Sequence, residues 1–333
     1  MLDRVERALV DAGAAGRRVL VAVSGGVDST VLAHALSALR RPLEIQLAIG
    51  HVDHGLRGAA SDADLQAVRA LAGKLAVRFE SARVDPAAAR EGVSSRARPT
   101  LQEAARSLRR DALERMRLAL GYDHIATAHN ANDQAETLLM RLLRGSGPDS
   151  LGGIGETSPD GIVLRPLLGV TRSEIEAFAR DAGLVWREDA SNADPRYTRN
   201  RLRADVLPAL ERDFNPRLLR ALGDLAEAQR RDTEWLDALV EEAAGELVAP
   251  DPSGGLRILA TGWSTRPEAL SRRLVKRLLI DVGAGRDLSR VHLMRALAFL
   301  REGQERTAIE LPGGFRLTRD RRDSFLLVRA SHA

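Results

Sequence analysis

Cysteine is absent from this sequence of 333 residues. Its absence excludes disulfide scaffolds, Cys-ligated zinc, iron–sulfur clusters and thiol catalysis. Aromatic residues make up 3% of the chain, too few for a long base-stacking platform. Lysine is scarce as well, with only Lys74 and Lys276. No run approaches the ~18 apolar residues of a membrane span. The N-terminus, MLDRVERALVDAG, lacks the apolar stretch of a secretory signal. These absences lead to the expectation of a cytoplasmic protein with no membrane association. No sequence pattern points to an obligate protein partner.

An apolar content of 44% is ordinary for a globular protein, and the length predicts two domains. The 50 basic and 46 acidic residues leave a net charge of +4. Nearly all the basic residues are Arg. A genome rich in Arg codons is one reading. A phosphate-rich partner is the other, because the Arg fork grips phosphate through two hydrogen bonds. Composition alone does not separate them.

Strand-like and helix-like segments alternate through the first half. Arg18–Val23 is a short apolar strand. Asp28–Leu39 is a helix with Val31, Leu32, Ala35, Leu36 and Leu39 on one face. Leu43–Ile49, Val77–Val84 and Asp123–Ala128 are expected as the next strands. Helices are expected from Ser61, over Pro99–Leu120 and over Asn130–Leu143. This rhythm predicts an α/β fold with a doubly wound parallel sheet. Ligands then sit at the C-terminal ends of the strands. Gly145–Gly161 reads as a loop and Val163–Leu167 as an edge strand. Thr171–Ala182 reads as a helix, with Thr171 and Glu174 as a capping box.

From about Arg199 the rhythm changes. Arg199–Arg212, Pro216–Ala244, Arg266–Ile280 and Ser289–Arg301 read as helices, Pro250–Gly255 as a linker, and Thr307–Val328 as short strands. The expected organisation is an α/β domain over 1–214 and a smaller, mainly helical C-terminal domain over 215–333.

Three motifs carry chemistry. Ser24-Gly25-Gly26-Val27-Asp28-Ser29 follows the first strand and opens a helix. Glycines there let the backbone approach a ligand, and the free N–H groups of the helix start bind anions. No Gly-Lys-[Ser/Thr] follows, so this is not a Walker loop. The second motif, His51-Val52-Asp53-His54-Gly55-Leu56-Arg57-Gly58, follows the second strand. Its His51, Asp53 and His54 lack the usual spacing of a zinc site, so a structural or nucleotide-adjacent loop is expected. The third, from His129 to Thr137, follows the fourth strand. On a helix starting there, His129, Asp133 and Glu136 stack on one face, spaced i, i+4, i+7.

The S-G-G-x-D-S pattern of Ser24–Ser29 resembles the PP-loop of the ATP pyrophosphatase superfamily. The resemblance implies ATP binding by Ser24, Gly25, Gly26, Val27, Asp28 and Ser29, with Asp28 near Mg²⁺, a cation that prefers oxygen ligands. The other two motifs, taken with LQEAARSLR (Leu101–Arg109), MRLLRGSG (Met140–Gly147), RPLL (Arg165–Leu168) and DASNADPRYTRNRLR (Asp189–Arg203), resemble the tRNA(Ile)-lysidine synthetase family. The ordered match runs over roughly residues 18–210. That family usually has an acid where Asn132 stands and often has Tyr where Arg110 stands.

The resemblance implies a ligase acting on the wobble cytidine of the CAU anticodon of tRNA(Ile). ATP adenylates the C2 carbonyl oxygen of the base and releases pyrophosphate. The amine of free L-lysine then attacks C2 and displaces AMP, leaving lysidine. Such chemistry needs charge neutralisation at the α-phosphate more than a protein nucleophile. Arg106 is the candidate for that role or for holding the base; its bland alternative is a surface ion pair with Glu103 or Glu114. Asp28 and Asp133 are the candidate Mg²⁺ carboxylates. Asp133, His129 and Asp53 are the candidates to take protons from the lysine amine. Arg196, Arg199, Arg201 and Arg203, at the domain junction, are expected to hold the tRNA backbone. Arg272, Arg273, Lys276 and Arg277 form a second basic group that can touch the tRNA stem or simply be one face of an amphipathic helix. Two rivals are an ammonia-dependent PP-loop amide ligase, revealed by AMP release without tRNA, and a non-catalytic RNA-binding protein, revealed by failure to form AMP.

Overall fold

Short runs of branched apolar residues, each followed by an amphipathic helix, wind here into a parallel sheet. The computed structural model describes residues 1–53, 55, 59–91, 98–187, 198–284 and 288–330. It divides into two compact units, Met1–Arg230 and Arg231–Ala333. His54, Arg57 and Arg196 lie outside the described residues.

The first unit runs α1 (Leu2–Asp11), β1 (Arg18–Ala22), α2 (Val27–Leu39), β2 (Gln46–Asp53), α3 (Ala59–Leu75), β3 (Arg78–Arg83), α4 (Leu101–Leu120), β4 (His124–Ala126), α5 (Ala131–Leu143), β5 (Val163–Leu164) and α6 (Arg172–Asp181). Then follow α7 (Thr198–Arg201), a π-turn over Leu202–Val206, α8 (Leu207–Asp213) and α9 (Leu218–Leu247), which continues into the second unit. The sheet order is β3-β2-β1-β4-β5, and every neighbouring pair is parallel. The chain steps outward from β1 to β3 and returns to the other side of β1 as β4. The crevice beyond the carboxyl ends of β1 and β4 is therefore the topological switch point, where open α/β sheets bind ligands.

Alternation along β1 fixes its two faces. Val19 and Val21 join one core with α1, α2, α3 and α6, through Val5, Leu9, Leu32, Leu36, Val68 and Ile175. Leu20 points the other way and packs on Leu113 of α4, with Ala48 and Ile125. Both clusters are fully buried, each large side chain contributing roughly 1.5–3 kcal/mol of transfer free energy.

In the first unit β2, β5 and the Gly145–Gly161 loop differ from the sequence expectation in ways that bear on the site. β2 starts and ends later than Leu43–Ile49, because Glu44 turns with φ 54° and the ladder to β3 runs on to Asp53. His51 and Asp53 thus belong to a strand rather than a loop. β5 stops at Leu164, two residues before Pro166, which has no N–H for the ladder. The loop over Gly145–Gly161 contains a 3₁₀ turn, Pro148–Gly152.

The second unit builds its own core. β6 (Val248–Pro250) and β7 (Leu256–Leu259) precede α10 (Glu268–Asp281) and α11 (Arg290–Glu302), and β8 (Ala308–Leu311), β9 (Phe315–Arg321) and β10 (Ser324–Arg329) follow. They form an antiparallel sheet, β6-β7-β10-β9-β8. Pro250–Gly255 is thus the tip of a hairpin and not a linker: Asp251 N and Gly255 O close it at 2.9 Å, and Gly254, at φ 83°, makes the turn. Trp263, Leu274, Leu278 and Phe325 are buried together, and Phe325 meets Phe299 edge-on at 5.7 Å.

Candidate active site

The first motif lies at the exit of β1. Gly25 has φ 96°, a conformation that side chains disfavour. Gly26 is the extended N-cap of α2. Ser29 ties the loop together: its hydroxyl donates to Gly26 O at 3.0 Å and accepts from Ser24 N at 3.2 Å. His51 braces the loop from β2. It is 3% exposed and donates from Nδ1 to the Val23 carbonyl at 2.8 Å. A carbonyl only accepts, so Nδ1 carries the proton.

Asp28, on the first turn of α2, meets two other helix starts. Its Oδ1 accepts from Asn130 Nδ2 at 3.1 Å, and its Oδ2 accepts from Arg172 Nη1 at 2.6 Å. Burial raises its pKa, Arg172 opposes the rise, and the charge of Asp133 adds to it. Arg172 is the first residue of α6, and its backbone N donates to Asn132 Oδ1 at 2.9 Å. Asn132 therefore ties α5 to α6. Sequence reading missed Arg172. One signal was available: a cation in the first turn of a helix opposes the helix dipole, so an anion has to hold it there.

Asp133 and Glu136 share a second cluster. Asn130 and Asp133 form the capping box of α5, with Asp133 Oδ2 accepting from Asn130 N at 3.0 Å. Asp133 Oδ1 accepts from Arg199 Nη2 at 2.9 Å and Arg203 Nη2 at 3.2 Å. Glu136 has no exposed surface and accepts from Arg199 Nε and Arg203 Nε, both at 2.6 Å. Arg199 and Arg203, expected to hold the tRNA backbone, both reach these two carboxylates and stay part-exposed. A buried carboxylate is tolerated only when paired, and these two guanidinia are the partners of Glu136. The π-turn after Arg201 widens the helix where Arg203 reaches back, a geometry often found at functional sites. Arg201 is exposed and bonds Thr198 Oγ1 at 3.4 Å.

His129 precedes the α5 cap, and its Nδ1 lies 3.0 Å from Thr127 Oγ1. Desolvation first, then Arg165, Arg106 and Arg109, push its pKa down to about 4 against the pull of Asp133. The imidazole is neutral near pH 7. Desolvation, and after it the charge of Arg106, lowers the pKa of both Arg109 and Arg165, although Arg109, like Arg106, keeps an exposed surface. Arg106 is exposed and pairs with neither Glu103 nor Glu114; Glu103 closes the α4 capping box with Thr100, and Glu114 is held by Arg117. Arg165 Nη1 donates to Gly155 O at 2.7 Å, while its buried Nε has no partner among the described residues. Arg109 and Arg165 were not singled out from the sequence.

The charge count defines what fits. Among the described residues, Asp28, Asp133 and Glu136 pair with Arg172, Arg199 and Arg203, and Glu176 pairs with Arg172 as well. Arg106, Arg109 and Arg165 stand outside these pairs and their charges act on a neutral His129. Such a site suits a polyanion. Asp28 and Asp133 are hard oxygen donors beside the loop, a donor set that fits Mg²⁺, which takes one or two carboxylates together with waters and phosphate oxygens. Among the described residues no group of three or more His, Cys, Asp or Glu is placed to hold a metal alone.

Asp53 stands apart. It accepts from Gly55 N at 2.8 Å and faces Arg83 Nε at 3.4 Å, so it braces the turn after β2. In the second basic group, two of the four cations, Arg273 and Arg277, meet acids of their own unit. Arg273 pairs with Asp237 at 3.5 Å, and Arg277 pairs with Asp281 at 2.7 Å and with Glu241. No helix among the described residues is long and apolar enough to cross a membrane.

A PP-loop domain family matches residues 2–210. A tRNA(Ile)-lysidine synthase of Symbiobacterium thermophilum is 38% identical over 330 residues, covering 96% of this chain and 67% of that one. A tRNA(Ile)-lysidine synthase of Leifsonia xyli subsp. xyli is 38% identical over 303 residues, covering 90% of this chain and 87% of that one. The chain belongs to the tRNA(Ile)-lysidine synthase family. Among solved structures, a U34-tRNA thiolase of Methanococcus maripaludis with its [4Fe-4S] cluster aligns with TM-score 0.57 at 18% identity, covering 70% of this chain and 78% of that chain. That likeness is one of fold. The PP-loop domain of the lysidine synthase family is an ATP-using module, and here it occupies most of the first unit.

Proposed function

We propose that this chain ligates free L-lysine to C2 of the wobble cytidine in the CAU anticodon of tRNA(Ile), consuming ATP and releasing AMP and pyrophosphate. The observation that carries the reading is the group Arg106, Arg109 and Arg165 around His129, which follows β4 at the switch point of the sheet, where β1 leads into the loop Ser24–Ser29. The loop N–H groups and hydroxyls hold the pyrophosphate part of ATP. Arg106, with Arg109 and Arg165, neutralises charge at the α-phosphate as the cytidine O2 attacks it and pyrophosphate leaves. Mg²⁺, held by Asp28 and Asp133 when bound, supplies further charge neutralisation there.

The lysine amine then attacks C2, AMP departs with the oxygen, and the amine loses a proton. His129 is the acceptor this reading favours. Its imidazole is neutral, whereas Asp133 is engaged by two guanidinia and Asp53 by the β2 turn. Anticodon loops offer unstacked bases that can be turned into a pocket. Arg201 remains a candidate for the tRNA backbone. The second unit is assigned to tRNA selection.

The test uses purified protein, ATP, Mg²⁺, radiolabelled lysine and unmodified CAU tRNA(Ile). Label is expected on the RNA, only with ATP and not with tRNA(Met). AMP release with ammonia and a small acid, without RNA, overturns the reading in favour of an amide ligase. Asp28→Ala is expected to abolish AMP formation and leave tRNA binding nearly intact.

A further inference from the structure

Arg172 sits where helix electrostatics disfavour it. It is the first residue of α6, and its cation faces the positive end of that helix. Three contacts from three helices hold it there. Asn132 of α5 accepts from its backbone N at 2.9 Å, Glu176 of α6 accepts from its Nε at 2.7 Å, and Asp28 of α2 accepts from its Nη1 at 2.6 Å.

The consequence falls on Asp28. One carboxylate oxygen is taken by Arg172 and the other by Asn130. Two donors from two helices therefore set the plane of the carboxylate. Without Arg172, Asp28 keeps one neutral donor and faces Asp133. Repulsion then favours rotation toward water or toward another guanidinium. Position 132 contributes to the same end. As an amide it anchors the Arg172 backbone and offers no second carboxylate to draw the guanidinium away.

We propose that Arg172 is a positioning residue for the ATP-consuming step: it fixes Asp28 in its working orientation and stands where a free cation would otherwise meet Asp28 Oδ2. The inference rests on the reading of Ser24–Ser29 as the ATP loop.

The test compares Arg172→Met and Arg172→Lys with the unsubstituted protein, each checked by thermal melting. Arg172→Met is expected to lower kcat for AMP formation roughly tenfold to a hundredfold. KM for the tRNA is expected to stay within about twofold, since the loss is in the reacting geometry. Arg172→Lys keeps a cation in reach and is expected to recover kcat to within about threefold of the unsubstituted protein. A second readout needs no turnover. With Mn²⁺ alone as the probe, electron paramagnetic resonance is expected to show a bound ion on nucleotide-free Arg172→Met that the unsubstituted protein lacks. That ion is expected to vanish when Asp28→Asn is added.

A kcat for Arg172→Met within about twofold of the original overturns the proposal. So does a fall in kcat that Lys does not rescue and that brings no Asp28-dependent Mn²⁺, which marks a purely structural anchor for α6. Full AMP formation by Asp28→Asn alone shows instead that the ATP-loop reading has failed, and the inference falls with it.

Discussion

Glu136 has no exposed surface, and the arrangement around it follows from that. A carboxylate out of water needs compensating charge, and Arg199 and Arg203 supply it through their Nε groups. Removing both partners in Arg199→Met/Arg203→Met leaves a buried charge alone. The expected loss is roughly 1–3 kcal/mol in urea unfolding, below that of a sealed pair because both guanidinia remain part-exposed. Arg201→Ala is expected instead to flatten the salt dependence of tRNA binding with little change in stability. His129 makes a pH-dependent contribution. Below its ordinary value of 6.5 the unfolded imidazole takes up a proton that the folded one refuses until about pH 4. Unfolding therefore gains a proton in that window, and stability falls as pH drops from 6.5 toward 4. His129→Gln is expected to remove this slope, on the order of 1 kcal/mol between pH 7 and pH 5 in thermal or urea midpoints. The spacing of His129, Asp133 and Glu136 was readable from the chain. That Glu136 is sealed while Asp133 is reached by two arginines was not, because burial is set by segments distant in sequence.

At the scale of elements, three capping boxes open α4, α5 and α6. The pair Thr171 and Glu174 was legible, since the signal is four residues long. Its second use was hidden: Glu174 also binds Arg4 of α1. Burial raises the pKa of Glu174, but the hydrogen bonds from Arg4 and from the Thr171 backbone and hydroxyl outweigh it and hold the value at about 2. Its contribution is complete above the ordinary value of 4.5 and is lost as pH falls toward 2. Glu174→Gln is expected to cost about 1 kcal/mol at neutral pH, with the difference from the unsubstituted protein shrinking in melts near pH 3. The strand limits were less legible. Pro166 stops β5 early, and the turn at Glu44 shifts β2 forward, both through ladder pairings that periodicity does not report.

At the scale of the molecule, each unit has its own core. Phe325, fully buried in the second, is expected on truncation to Ala to destabilise that unit by about 3–5 kcal/mol, followed by far-ultraviolet circular dichroism in urea. The β6–β7 hairpin of that unit escaped sequence reading because a Pro-Ser-Gly-Gly stretch serves equally for a linker and for a tight turn.

By itself the amino-acid sequence determined the alternation of strands and helices, the Ser24–Ser29 loop at the end of β1, and the family that the chain belongs to. These are local or ordered signals: a period, a cap, a glycine pair, a motif order. Only the tertiary structure decided which charges meet. Asp28 and Arg172 are 144 residues apart in the chain, and Glu136 and Arg199 are 63 apart. Strand order brings the starts of α2, α5 and α6 to one crevice. There low solvation makes each carboxylate take a guanidinium, whatever the role that guanidinium was expected to have from its neighbours in sequence.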